Sequence, residues 1–158
     1  MAELSGWVPA LTLLAALGCG LMAGVFFAFS TFVMRALARL PAEQGIAAMQ
    51  SINTAVLRSS FLAVFLGTAA VCAVVAVLVR DGYAIAGGVL YLVGTFGVTV
   101  GLNVPLNEEL GRVDGAGGAG EEVWKRYTVV WTRWNHVRTA AALAATAALI
   151  LALMRGRG

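Results

Sequence analysis

Four long apolar stretches separated by short polar breaks set the pattern of this chain. No charged residue occurs from Leu4 to Met34, and Arg35 and Arg39 end that stretch. A second uncharged stretch, Ser59 to Val79, is opened by Arg58 and closed by the turn-like Arg80-Asp81-Gly82. A third runs from Tyr83 to Leu106 and stops at Glu108-Glu109. The fourth, Thr139 to Met154, is short by itself, so its helix must start upstream and carry Arg138, His136 or Asn135 into the membrane boundary. Crossing a hydrocarbon core of about 30 Å takes roughly 20 apolar residues as helix. Backbone polar groups in lipid must be satisfied within their own segment, which selects helices over strands. The pattern predicts an all-α four-helix transmembrane bundle, one membrane domain over residues 1–158 with spans near 9–33, 59–79, 83–106 and 132–154.

Composition excludes a water-soluble alternative. Hydrophobic residues make up 60% of the chain and charged residues 12%, against about 25% charged in a soluble domain. The net charge of +3 is spread over the ends of apolar stretches and forms no dense patch, so no nucleic-acid partner is expected. Cys19 and Cys72 each lie inside an apolar stretch, which indicates neither a disulfide framework nor a metal pair. The first span is not expected to be a cleavable signal: its leader holds Glu3 and no basic residue, and its apolar stretch is too long.

Basic residues orient the bundle. Arg35, Arg39, Arg58, Arg112, Lys125, Arg126, Arg133 and Arg138 fall on one side, and Arg80, Arg155 and Arg157 on the other. The first side is expected to be cytoplasmic, with both termini outside and the protein in the plasma (inner) membrane. Arg133 and Arg138 carry no weight in this count if they are buried. The connection from Arg35 to Arg58 contains Pro41 and Glu43 at positions suited to a helix start. Ile46, Met49, Asn53 and Val56 follow at helical spacing, with Gln50 beside them, so a helix is expected from Pro41 straight into the second span. The other long connection holds Asp114 to Gly120, a glycine-rich flexible hinge, after which the fourth helix resumes near Glu121. Helices 2 and 4 are thus expected to extend beyond the bilayer on the cytoplasmic side. Gly20, Gly24, Ala28, Gly97 and Gly101 are expected packing positions, and such Gly-rich faces leave a homo-oligomer open.

Two clusters break the apolar pattern, on one side of the bilayer. Asn103-Val104-Pro105-Leu106-Asn107-Glu108 ends the third span. Asn103 and Asn107 share a face, and Pro105 removes a backbone donor. A helix terminator accounts for Asn107 and Glu108, but an amide as deep as Asn103 needs a partner. The second cluster is Trp131-Thr132-Arg133-Trp134-Asn135-His136-Val137-Arg138. Tyr127, Trp131, Asn135 and Arg138 form a stripe with Trp134 beside it. An interfacial belt accounts for Trp131, Arg133 and Trp134, whereas Arg138, at the inner edge of an uncharged span, should face the bundle and meet Asn103, Asn107 or Glu108. His136 is the one histidine, too few for a metal site. Its imidazole suits either a general base or a solvated residue. No Asp or Glu lies within the first three spans, which disfavours proton-coupled transport.

These segments, taken in order with Gly24-Val25-Phe26-Phe27-Ala28-Phe29, Val33-Met34-Arg35-Ala36-Leu37 and Ala48-Met49-Gln50-Ser51-Ile52-Asn53, resemble the anthrone oxygenase family of small four-helix membrane proteins. The resemblance covers nearly the whole chain, and Asn-Val-Pro-Leu-Asn and Trp-Asn-His-Val-Arg-Thr are its most specific parts. It implies oxidation of an anthrone, a fused tricyclic aromatic ketone, by O2 without a redox cofactor. Under that implication His136 or Glu108 is the base, and Arg138, Asn103 and Asn107 are donors to the enolate oxygen. Trp131, Trp134, Asn135, Tyr127, Gln50 and Asn53 contact the substrate, and no metal is bound. Expected partners are a lipophilic aromatic small molecule and membrane lipid. The rival reading is a non-enzymatic membrane module that holds a quinone, lipid or protein in the same pocket.

Overall fold

The computed structural model describes residues 4–113 and 118–156. Glu3, Arg157 and the first part of the glycine-rich connection, 114–117, lie outside the described residues. All regular structure within them is helical, and four helical stretches are long and apolar enough to cross a membrane: Gly6–Leu37, Ser60–Leu78, Gly82–Gly111 and Ala119–Arg155. The chain is an integral membrane protein by that measure.

The first span is α1 (Leu4–Ala28), a π-helical stretch Phe29–Val33, and α2 (Met34–Leu37). Next come α3 (Ala42–Leu57) and α4 (Ser60–Leu78). The expected continuous helix from Pro41 into the second span is broken at Arg58–Ser59. There Ser59 turns extended (φ −106°, ψ 166°), and its side chain accepts from Phe61 N, capping a new helix. The third span holds α5 (Gly82–Val89), π-helical stretches Leu90–Gly97 and Thr99–Asn103, and α6 (Val104–Gly111). Asp81 starts it, accepting from Tyr83 N at 2.9 Å and Ala84 N at 3.1 Å. Pro105 does not end this span, which runs five residues past Leu106. The ring of a helical proline collides with the carbonyl four residues back, and the wider i→i+5 turn of Thr99–Asn103 immediately precedes it.

The last helix, α7 (Gly118–Arg155), takes in Gly118–Gly120 and so starts earlier than Glu121. At 1.5 Å per residue its 38 residues reach about 57 Å, well beyond a hydrocarbon core of about 30 Å.

α1 packs along α7 and α4, and α5 packs on α4 and α7. Their shared core holds Cys19, Met22, Phe26, Phe65, Cys72, Tyr91 and Leu149. Cys19 Sγ and Cys72 Sγ, far apart in sequence, sit 3.6 Å apart there, fully buried. The tight backbone approaches are not at the glycines the four-residue spacing singled out. A Cβ on Gly24 or Gly101 would meet nothing within 4 Å, whereas one on Gly88 would lie 2.9 Å from Cys72 O, and one on Gly94 2.5 Å from Ala141 Cβ. Spacing identifies a face of a helix but not which face looks at a neighbour.

A second core, beyond the first, joins α3 to α6 and α7 through Ile46, Met49, Leu110, Trp124, Tyr127 and Trp131. Gln50 Nε2 fastens it by donating to Leu110 O (2.9 Å) and Val113 O (3.1 Å), carbonyls at and just beyond the end of α6.

Candidate functional site

Between the two cores lies a cavity of about 850 Å³. Phe26 and Phe29 from the first span, Met49 and Asn53 from α3, Phe61 and Phe65 from α4, Phe96 and Thr99 from the third span, and Trp131 and Arg138 from α7 all line it. The wall is largely aromatic: Phe65 stacks on Phe61 and Phe96 at 6.0 and 5.7 Å between ring centroids. Volume and lining suit a drug-sized apolar ligand with a few polar contacts.

Arg138 is the chemically distinctive member. It is 4% exposed, and its hydrogen bonds go to neutral acceptors, Nη2 to Asn135 Oδ1 at 2.7 Å and Nη1 to Thr99 Oγ1 at 3.2 Å. Its guanidinium lies 4.4 Å from the centroid of Phe26 and 5.0 Å from that of Trp131. Arg138 Nε has no partner. The ion pairs among the described residues, Lys125–Glu121 and Arg126–Glu109, lie elsewhere. A cation buried without a counter-ion is costly, and here it borders an open apolar cavity.

Asn135 holds Arg138 in place. Fully buried, it donates through Nδ2 to Phe26 O and Ser30 Oγ, both at 2.7 Å, while its Oδ1 takes the arginine. Ser30 lies in the π-helical stretch of the first span and also bonds Thr139 Oγ1 at 3.1 Å. The π-helical stretches of both spans thus carry polar partners of this network, Ser30 in the first span and Thr99 in the third. Widened turns of this kind recur at functional sites.

The two asparagines of the third span frame Trp131 instead of reaching the guanidinium. Asn103, 1% exposed, donates to Trp131 O at 3.2 Å, and its Oδ1 is unpartnered. Asn107 Oδ1 accepts from both Trp131 Nε1 and Tyr127 OH, each at 2.8 Å. Tyr127 stacks behind Trp131 at 6.1 Å. The structure thereby brings Gln50, Asn53, Asn107, Glu108, Trp131 and Arg138 to the cavity wall, with Asn103, Asn135 and Tyr127 directly behind it.

His136 and Trp134 are not brought there. His136 is exposed, and Trp134 is half-buried outside the cavity lining. Two residues from Arg138 on a helix, His136 points to nearly the opposite side. Among the described residues, Glu108 is the one carboxylate on the cavity wall.

Sequence reasoning missed Thr99 and Phe26, the two groups that meet the guanidinium from other spans. The spacing Thr95-Thr99-Asn103 was an available signal, since three polar residues at four-residue intervals in an apolar helix mark one face. Among the described residues, no cluster of His, Cys, Asp and Glu is placed to hold a metal ion.

The family model of anthrone oxygenases matches residues 58–148, which contain both polar clusters, the second and third spans and most of the fourth. No curated protein and no solved structure matches the chain.

Proposed function

The chain belongs to the anthrone oxygenase family, and from that premise we propose that the cavity binds an anthrone-type fused-ring ketone and oxidises its methylene to a second carbonyl with O2. The buried Arg138, lacking an anionic partner among the described residues, is the observation that carries this reading. A cation already desolvated and fixed in position stabilises an oxyanion better than one that must be reorganised during the reaction.

Loss of a proton from the methylene gives an enolate whose oxygen bears negative charge. That oxygen sits against Arg138, and the rings lie among Phe26, Phe61, Phe65 and Trp131. Glu108 is the base the geometry favours, because it is on the cavity wall and His136 is not. The enolate carbon gives electrons to O2 and forms the C–O bond of a hydroperoxide. Removal of the second methylene proton then expels hydroxide, breaks the O–O bond and leaves the carbonyl. Ketone and O2 become diketone and water. The methylene loses four electrons and O2 gains four, so the substrate supplies all the reducing power the reaction needs.

The same proposal places the site on the cytoplasmic side of the plasma membrane. Arg35, Arg39, Arg58, Arg112, Lys125, Arg126 and Arg133 cluster at the end of the bundle that holds Glu108. Arg133 is exposed and counts toward orientation, whereas the buried Arg138 does not.

The test is anthraquinone formation in air by purified protein in lipid. Arg138→Ala is expected to lower kcat by about 10²–10³, the usual loss for one oxyanion donor, with Arg138→Lys in between. Unchanged turnover in Arg138→Ala refutes the assignment. Tight retention of the ring system without any turnover in the unmodified protein favours the non-enzymatic module.

A further inference from the structure

The cavity has an apolar margin as well as a polar one. We propose that its ligand enters from within the bilayer, through a slot between α4 and the third span lipped by Leu62 and Leu66 on one side and Val100 and Val104 on the other. The proposal rests on the reading that the cavity is the reaction site.

All four residues line the cavity. Leu66 is nevertheless 47% exposed, Val100 53% and Val104 37%, with Leu62 half-buried. Side chains that line the cavity and keep this much accessible surface fit a place where the cavity opens outward. Each pair is four residues apart and so forms a ridge on one helix face, and the two ridges lie on opposite edges of the opening. A Cβ added at Gly67 or Gly101, the sequence neighbours of Leu66 and Val100, would meet nothing within 4 Å, so neither helix is tightly packed at those positions. At the far end the same two helices are clasped, with Gly88 against Cys72 O and Ala76.

The lips carry no polar atom and belong to the two stretches Ser60–Leu78 and Gly82–Gly111, each apolar enough to span. The opening therefore faces hydrocarbon. Leu62 and Leu66 lie within two turns of the start of α4 at Ser60, which puts the slot near the boundary of acyl chains and headgroups. A neutral fused-ring ketone dissolves at that level of a bilayer and reaches Arg138 without passing through water. The opposite margin, at Thr54, Glu108 and Gly111, is polar or bare backbone and exposed. It is the route of an aqueous substrate, and it gives water access to Glu108.

The experiment uses the full chain in proteoliposomes with anthrone in the membrane. Leu66→Phe/Val100→Phe narrows the slot and is expected to raise KM, expressed as mole fraction in the bilayer, about tenfold with kcat unchanged. Thr54→Trp, at the polar margin, is expected to leave KM unchanged. The reverse pattern overturns the slot. A second measurement needs no turnover: with Trp7, Trp124 and Trp134 changed to Phe, fluorescence of Trp131 is followed in phospholipid brominated on its acyl chains. Trp131 is 5% exposed, so acyl bromine reaches it through the slot. Quenching that Leu66→Phe/Val100→Phe diminishes supports the proposal even if anthrone is not turned over, in which case the oxygenase reading alone fails. Absence of quenching overturns the slot whatever the turnover.

Discussion

Asn107→Leu separates a framed aromatic wall from a simple helix end. Asn107 Oδ1 accepts two hydrogen bonds at 2.8 Å, from Tyr127 OH and Trp131 Nε1. Both donor residues are buried, at 2% and 5% exposure. Leucine keeps the size and deletes the acceptor, leaving two donors without partners. Each orphaned buried donor costs about 1–3 kcal/mol. Asn107 itself is half-buried, so water relieves part of that, and the expected loss is about 2–4 kcal/mol, below the full sum. Asn107→Asp keeps both acceptor contacts and is expected to lose less. Tyr127→Phe removes one donor and should cost about 1 kcal/mol. Combined with Asn107→Leu it should recover part of the loss, because it removes one of the two orphaned donors. The assay is thermal or SDS-driven unfolding in a fixed micelle, with tryptophan fluorescence read in parallel. Strict additivity of Asn107→Leu and Tyr127→Phe, or a loss in Asn107→Leu below about 0.5 kcal/mol, would refute the framing role and return Asn107 to a helix terminator.

The remaining expectations concern packing and the buried thiols. Gly45 lies under Trp124, where an added Cβ would sit 2.6 Å from Cζ2, and Trp124 is itself stacked on Tyr127 at 5.8 Å. Gly45→Leu should therefore lift α3 off α6 and α7, costing about 1–3 kcal/mol by overpacking despite the better helix propensity of leucine, and limited proteolysis should then cut within α3. A resistant α3 contradicts this packing. Cys19 and Cys72 have no exposed surface, so a maleimide should label neither in the native bundle and both after SDS denaturation; rapid native labelling would mean that α1 and α4 do not pack as described.

How much was legible in advance differs between the scaffold and the site. The four spans followed from uncharged length alone, because lipid tolerates little else, and the Asp81 turn followed from the polarity of Arg80-Asp81-Gly82. The break at Ser59 did not, since a serine inside a helical pattern is compatible with continuing or restarting the helix. Nor did the helical course through Pro105, which depends on a wider turn that leaves no mark on hydrophobic spacing. Asn103 was singled out as needing a partner, and it has one in Trp131 O. Arg138 was expected to meet Asn103, Asn107 or Glu108 of the third span and instead bonds Thr99 there, with Asn135 of its own helix beside it. The stripe Tyr127-Trp131-Asn135-Arg138 was correct as a face, since all four are buried. His136 was chosen as an imidazole base and Trp134 as an aromatic beside the stripe, and helical rotation leaves both off the cavity wall.

By itself the sequence determined the solvent, the number of spans and the helices that carry the rare polar groups, because the energy of placing charge or free backbone in hydrocarbon is large and depends on local composition. Only the tertiary structure decided which faces meet. It put Cys19 beside Cys72, set Gly88 and Gly94 as the tight crossings in place of Gly24 and Gly101, and surrounded Arg138 with neutral partners at the edge of a cavity. Those outcomes depend on the rotation and tilt of each helix, which packing against neighbours fixes and apolar length does not. The clustering of polar residues could be read along the chain; the uncompensated cation that gives the cluster its chemistry could be read only in space.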